Sequence, residues 1–271
     1  MADAQVGAAR VAWRVTAANL RVRMQYRTEF LLAILNGIIW QGSMLAFAGI
    51  VLTRFPGLGG WPSGGVLLIA GMRLLSHALC LTVFSALPGV PTLVQDGRFD
   101  GFLLRPMSIY RQALLSSFSI SAIGDLVVAV TLFTAALRML DLDWSPARIG
   151  YLCAALVGAM FLEAAIQTVL ASVALRFPGA QTWALWIDDL MATFGNYPLS
   201  VLPVVARVAL TFVLPVAFLA YLPAAVLLDR AGEQGLPEWL VLGSPALGPL
   251  LFVLARLAWN HGVRHYQSPN G

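Results

Sequence analysis

The segment Phe30–Val51, with the sequence FLLAILNGIIWQGSMLAFAGIV, holds 22 consecutive residues without a charged side chain. An α-helix rises about 1.5 Å per residue, so this segment is long enough to cross the roughly 30 Å of hydrocarbon in a bilayer. An uncharged run of this length is typical of a transmembrane helix rather than of a buried helix in a soluble core. The segment therefore predicts an integral membrane protein.

The composition of the whole chain supports the same class. Of its 271 residues, 59% are apolar and 11% are charged, whereas about 25% of the residues in a soluble domain are charged. All 17 basic residues are arginine. A P-loop needs a lysine to hold phosphates and an imine-forming enzyme needs a lysine amine, so the absence of lysine excludes both chemistries from this chain.

Five further apolar segments follow the first one. Together the six segments predict one all-α, polytopic transmembrane domain over residues 1–271. Residues 182–206, between the fourth and fifth segments, contain the adjacent Asp188 and Asp189. Because two carboxylates would be costly at the bilayer centre, we expect an interfacial or re-entrant helix there. The further spans are expected at Val66–Leu87, Leu114–Leu137, Ile149–Ala174, Val208–Leu228 and Trp239–Trp259.

The distribution of arginine predicts the orientation of these spans. Eleven arginines lie in the N-terminal segment, after spans two and four and at the C-terminus, whereas four lie in the alternate loops. Loops rich in arginine stay in the cytoplasm, so both termini are expected to be cytoplasmic. Cysteine gives no information on the compartment, because Cys80 and Cys153 each lie inside an apolar run.

Residues 1–29 form a basic segment ahead of the first span. Val6, Trp13, Leu20 and Met24 recur at near-heptad intervals, which predicts an amphipathic helix in the headgroup layer. Two roles remain open for this cytoplasmic elbow segment. It is either a helix that feeds the first span and contacts a partner, or a positive-inside anchor with no other role.

The loop over residues 88–111, between spans two and three, contains the largest number of charged residues of any loop. Pro91 suits the first turn of a helix and Gly97 suits its C-terminal stop, so a short helix is expected between them, at Thr92–Asp96. Further along, Asp100 and Arg105 are expected to face solvent or a docked protein. A solvated connection would explain the charges of the loop, but not the three consecutive apolar residues from Phe102 to Leu104.

Three parts of the chain resemble one known family. The stretch GRFDGFLLRP, Gly97–Pro106, is similar to the G-x-x-D-x-x-L-L-x-P signature of ABC-2 type transporter permeases, in the branch formerly described as a domain of unknown function. The patterns within Asn196–Ala224 and Trp259–Gly271 are similar to later parts of the same family. The resemblance covers essentially the whole chain.

This resemblance implies the permease subunit of an ATP-driven exporter in the bacterial cytoplasmic (inner) membrane, with six spans. It implies a homodimer or heterodimer that works with a separately encoded ATP-binding subunit. That subunit would hold ATP and magnesium, so no cofactor and no nucleic acid are expected on this chain. The loop between spans two and three would be the coupling loop that docks on the ATPase. Its residues here are Pro91, Gln95, Gly97, Asp100, Leu103, Leu104, Arg105 and Pro106.

Arg73, His77, Asp125 and Glu163 lie inside the predicted spans. An ionisable group in the bilayer costs at least about 2.5–3.5 kcal/mol on insertion scales, so each is a functional candidate. Three interpretations remain open: a proton relay, a polar substrate path, and pairing that fixes the bundle. A relay through Asp125, Glu163 and His77 would make the chain a proton-coupled secondary transporter, the main alternative to the permease. An assembly or scaffold subunit without a transport path is the third possibility.

Among these residues, Arg73 is expected to pair with Asp125. Counting from the outer ends of the spans at 1.5 Å per residue places Arg73 about 10 Å deep, Asp125 about 18 Å deep and Glu163 about 21 Å deep. Glu163 is therefore expected to be the less favourable partner. The sequence contains no HExxH, GxSxG or Cys/His cluster, so it gives no evidence for a catalytic or metal site.

Overall fold

The computed structural model describes residues 27–54, 57–117, 119–177 and 179–268. These residues form α-helices joined by short 3₁₀ turns and one antiparallel ribbon, β1 (Gly57–Leu58) with β2 (Trp61–Pro62). The all-α prediction is confirmed, and the elbow segment expected over residues 1–29 lies almost entirely outside the described residues. The helices are α1 (Arg27–Arg54), α2 (Ser63–Phe84), α3 (Val90–Gln95), α4 (Asp100–Leu103), α5 (Ile109–Leu115), α6 (Ser121–Arg138), α7 (Pro146–Ala174), α8 (Ala180–Phe194), α9 (Val204–Phe212), α10 (Tyr221–Leu227), α11 (Glu238–Leu242) and α12 (Ser244–Arg264).

Within the described ranges, three helices are long and apolar enough to cross a membrane: α2, α6 and α7. A fourth span results if the bent pair Val204–Phe212 and Val216–Leu227 is one span. The two halves of this pair meet at 72°, and Pro215 lies between them, where its missing N–H interrupts the helical hydrogen bonds. The structure therefore supports three or four spans, and the expected count of six is not confirmed.

Besides the fifth expected span, Val208–Leu228, which bends between α9 and α10, two others are divided in the structure. The third, Leu114–Leu137, is interrupted because α5 ends at Leu115 and α6 begins at Ser121. The sixth, Trp239–Trp259, is interrupted at Gly243, between α11 and α12, and Pro245 occupies the first turn of α12. Proline favours the start of a helix and opposes its continuation from a preceding one. Hydropathy alone did not separate these pieces, because both sides of each break are apolar.

Helix α7 is the centre of the bundle and packs along α12, while α6 packs between α1 and α2. The contact between α7 and α12 is made by Gly158 and Gly248. A Cβ atom on Gly248 would lie 1.8 Å from the carbonyl oxygen of Gly158, so no larger residue fits at this crossing. Close backbone approach through small residues is the usual way in which helices associate where the hydrophobic effect does not drive them together.

The apolar interior has two main parts. One surrounds Trp61, Leu162 and Leu222 and joins the start of α2 to the middle of α7 and to α10. The other surrounds Phe99 and Trp259 and lies beneath the loop over residues 88–111. The second part fixes this loop against α7 and α12.

Candidate functional site

Glu163 of α7 lies against two residues of α2. Nη1 of Arg73 donates to Oε2 of Glu163 at 3.3 Å, and Nδ1 of His77 is hydrogen-bonded to Oε1. The side chains of Arg73 and Glu163 are 3% and 2% exposed. Because Arg73 and His77 are four residues apart, they share one face of α2. Both oxygens of the carboxylate are thus partnered, as a buried charge requires.

The expected pair between Arg73 and Asp125 is wrong. Gly71, two residues before Arg73, packs against Phe133 of α6, and Phe133 lies eight residues, or about 12 Å, beyond Asp125 along the helix. Helix α6 begins at Ser121, so Asp125 lies near its first turn rather than at mid-span. The side chain of Asp125 is buried instead beside Gly37 of α1. The depth count failed because it carries no information on the direction in which each side chain points around its helix.

A cavity of about 230 Å³ opens beside the ion pair, between α1, α2 and α8. Arg73 and His77 line it from α2, and Asp188 and Asp189 line it from α8. Nε2 of Gln167 donates to Oδ1 of Asp188 at 3.1 Å, which ties α8 to α7. The structure thus brings together Arg73, His77 and Glu163 as predicted site residues, and it adds Asp188, which the sequence marked only as unfavourable for a span.

Sequence reasoning also missed Arg256 on α12. Its guanidinium lies over the ring of Tyr110, 3.5 Å from the ring centroid, in a cation–π contact. The hydroxyl of Tyr110 is hydrogen-bonded to Oγ1 of Thr168 at 2.9 Å. This chain of contacts joins α5, α7 and α12. The signal was present, because Arg256 is a single arginine within an apolar run, but its aromatic partner is distant in sequence.

The loop over residues 88–111 begins with the short helix that the sequence predicts. Helix α3 runs from Val90 to Gln95, with Pro91 in its first turn, and Gly97 follows at φ +68°. Only glycine adopts this left-handed conformation without strain, so it ends the helix. The predicted roles of Pro91 and Gly97 in this helix are confirmed, although the helix starts two residues earlier than expected.

Asp100 is tied to the C-terminal segment rather than directed at solvent or a docked protein. The hydroxyl of Tyr266 donates to Oδ1 of Asp100 at 2.8 Å, and the hydroxyl of Ser268 donates to Oδ2 at 2.7 Å. Burial, together with the hydrogen bond to Asp100, raises the pKa of Tyr266 to about 12. The ring of Tyr266 also meets Phe99 edge-on, at a centroid distance of 5.0 Å. The sequence gave no sign of this contact, because its partners are 166 and 168 residues apart.

Residues 103–106, which follow Asp100, form an exposed part of the loop over residues 88–111 that we call the apex. Leu104 is 87% exposed and Leu103 is 49% exposed, and Arg105 and Pro106 are also exposed. The expectation that Arg105 faces outward is confirmed. Gln95 is exposed as well, so the end of α3 and the apex both present side chains outside the buried core.

The base of this apex is closed by one side chain. Nε2 of Gln112, on α5, donates to the carbonyl oxygens of Phe102 and Met107, each at 2.8 Å. Gln112 is 6% exposed, so these bonds are shielded from water. These two hydrogen bonds hold the two ends of the segment 102–107 together and keep the apex in one conformation.

The described residues contain no group of three or more His, Cys, Asp or Glu that could hold a metal ion. Of the two cysteines, Cys80 is buried and Cys153 is exposed. Arg73, His77 and Glu163 offer charge pairing and hydrogen bonding.

Comparison with known proteins gives one match. The model of a family described as ABC-2 family transporter protein matches residues 38–270, which include the loop over residues 88–111, the cavity and α12. No curated protein and no solved structure matches the chain. The match covers far more than half of the sequence, and helices that could span a membrane accompany it. The chain therefore belongs to the ABC-2 transporter family, as a multi-pass membrane permease component of an ABC transporter.

Proposed function

We propose that this chain is the permease subunit of an ATP-driven exporter. It forms the substrate path with six spans, and it couples that path to a separately encoded ATPase subunit through the loop over residues 88–111. The observation that carries the proposal is the apex at Leu103 and Leu104. Two exposed leucines on a charged loop are costly in water unless another surface covers them.

The way in which the loop is held supports a mechanical role. A loop that transmits force must move as one piece with the membrane helices behind it. Gln112 closes the apex, and Asp100 joins the loop to the segment after α12 through Tyr266 and Ser268. Since α12 packs along α7, a displacement of the apex is transmitted to α7, the helix that carries Glu163.

The composition supports a division of labour between two proteins. Without lysine this chain cannot form a P-loop, so ATP and magnesium belong on the partner ATPase, and this chain needs no cofactor of its own. The active unit is a homodimer or heterodimer of permeases with its ATPase subunits, and nucleic acid plays no part. The arginine bias supports cytoplasmic termini in a bacterial inner membrane.

Cross-linking tests the docking. In a Cys153→Ala background, Leu104→Cys should cross-link to the ATPase subunit of the assembled complex, because Leu104 is 87% exposed. Gly235→Cys, in the loop before α11, should not cross-link. Equal cross-linking at both positions, or none at Leu104 in an assembled complex, would contradict the proposal.

A second function, proton-coupled secondary transport, is favoured by one observation. His77 is hydrogen-bonded to Glu163 and lines a cavity, so a proton could be exchanged there. Asp125 does not line this cavity, which leaves the three-residue relay incomplete. Transport in vesicles distinguishes the two functions: an exporter should stop when ATP is removed and continue with a protonophore, whereas a proton-coupled carrier should do the reverse.

A further inference from the structure

The cavity between α1, α2 and α8 has the features of a ligand site. We propose that it binds the ammonium group of an amphipathic amine that carries an oxygen close to its nitrogen, as in an amino alcohol. The identification of this amine as cargo rests on the proposed function, whereas its binding does not.

The charges around the cavity favour a cation. Asp188 and Asp189 line it, Glu163 lies behind it, and Arg73 is paired with Glu163. Three carboxylates thus meet one guanidinium, and protonation of His77 would still leave one negative charge in excess. Within the described residues neither Asp188 nor Asp189 forms an ion pair. A positive group between these carboxylates would satisfy charges that are costly in an apolar environment.

Two buried polar atoms give an independent indication of a ligand. Nε of Arg73 and Oδ1 of Asn196 both belong to residues that line the cavity, and neither has a hydrogen-bond partner among the described residues. The side chain of Arg73 is 3% exposed, so water does not satisfy it freely. Oδ1 is an acceptor and suits the N–H of an ammonium group, whereas Nε is a donor and suits a nearby ligand oxygen.

The remaining wall explains why the ligand should be amphipathic. Trp40, Leu74 and Leu185 line the cavity, and an indole ring attracts a cation at its face. Pockets that enclose a drug-sized molecule measure about 300–1,000 Å³, whereas this cavity measures about 230 Å³. It therefore holds a headgroup, and an apolar tail would extend outward along the exposed faces of α1 and α8.

Binding is tested on the full-length chain in nanodiscs of phosphatidylcholine. Radiolabelled N-dodecylethanolamine should bind saturably, and unlabelled N-dodecylethanolamine should displace it. Dodecanol and dodecanoate, which have the same tail, should not. The double variant Asp188→Asn with Asp189→Asn should weaken binding at least tenfold. The control Asp141→Asn with Asp143→Asn makes the same change of charge in the exposed turn between α6 and α7 and should bind like the parent.

The result that would overturn the proposal is parent-like binding by the Asp188/Asp189 double variant, or displacement by dodecanol as strong as by the amine. If that variant does not fold, Asp189→Asn alone is used, because Asp189 is exposed and its loss should spare the fold. Binding by this single variant should be weakened about threefold, and unchanged binding would overturn the proposal.

The lipid composition of the nanodisc distinguishes two sources of the amine, a lipid headgroup and a free amine. If phosphatidylethanolamine in the nanodisc displaces the probe, a lipid headgroup is the occupant, whereas unchanged binding identifies a free amine; both results support the amine chemistry. The assay contains no ATPase and no nucleotide. Binding without ATP-driven transport would refute only the proposed function, and ATP-driven transport without binding would refute only this inference.

Discussion

Replacing Glu163 with glutamine should destabilise the protein more than replacing Arg73 with methionine. Glu163 has two partners, Arg73 and His77, whereas Glu163 is the only carboxylate that forms an ion pair with Arg73 among the described residues. Removing Glu163 leaves a guanidinium that is 3% exposed without an ion-pair partner among the described residues. Removing Arg73 leaves a carboxylate that still has His77.

The magnitude follows from the geometry. At 3.3 Å and an effective dielectric constant of about 20, the Coulomb attraction is about 5 kcal/mol. Measured losses on breaking a buried pair are about 3–5 kcal/mol, and we expect Glu163→Gln to fall in this range. For Arg73→Met we expect a loss of about 1–3 kcal/mol, comparable to one charged hydrogen bond.

A double-mutant cycle checks the reasoning. The free energy of unfolding is measured in mixed micelles by denaturant titration for the parent, both single variants and the double variant. Because the double variant removes both charges, it should be more stable than Glu163→Gln alone. Glu238→Gln, at an exposed position, is the matched control and should change stability by less than about 0.5 kcal/mol. Losses that simply add would refute the pairing.

Three further predictions concern the bundle, the loop and the topology. Gly248→Ala should prevent close packing of α7 and α12, because its Cβ would lie 1.8 Å from a carbonyl oxygen; gel filtration should show a loss of monodisperse protein that an alanine at the exposed Gly150 does not cause. Tyr266→Phe should lower ATPase stimulation in the complex while expression stays normal. The parent should lose stability at high pH, and the Tyr266→Phe variant should not show this loss. The raised pKa of Tyr266, about 12, contributes stability that is complete below pH 10 and disappears as the pH rises through 12. Finally, a cysteine at Gly235 should label from outside the cell and one at Gln95 should not; the reverse pattern would contradict the proposed orientation.

The sequence predicted the parts of the fold that depend on neighbouring residues. Pro91 and Gly97 determined the start and the stop of α3 because each acts on its own backbone dihedral angles. The sequence predicted the cores of α2 and α7 because the free energy of transferring a helix from water into the bilayer is a sum over one continuous segment. The breaks before α6 and α12 were not found, since an apolar run has the same hydropathy whether or not the helix is interrupted.

The candidate site was predicted in part. The sequence identified Arg73, His77 and Glu163 as costly charges that need partners, and the structure shows that they are partners of one another. It paired Arg73 with the wrong carboxylate because depth along a helix does not give the direction in which a side chain points around it. Arg256 was overlooked, although the same rule applied to it.

The sequence by itself determined that this is a helical membrane protein without a P-loop lysine, because hydropathy and residue type are properties of the chain alone. Only the tertiary structure decided which charges meet, that Asp100 is held by Tyr266 and Ser268, and that a cavity opens beside Arg73. These features depend on the rotation and the axial position of each helix. A shift of one residue along a helix is about 1.5 Å with a turn of about 100°, which is enough to exchange one partner for another.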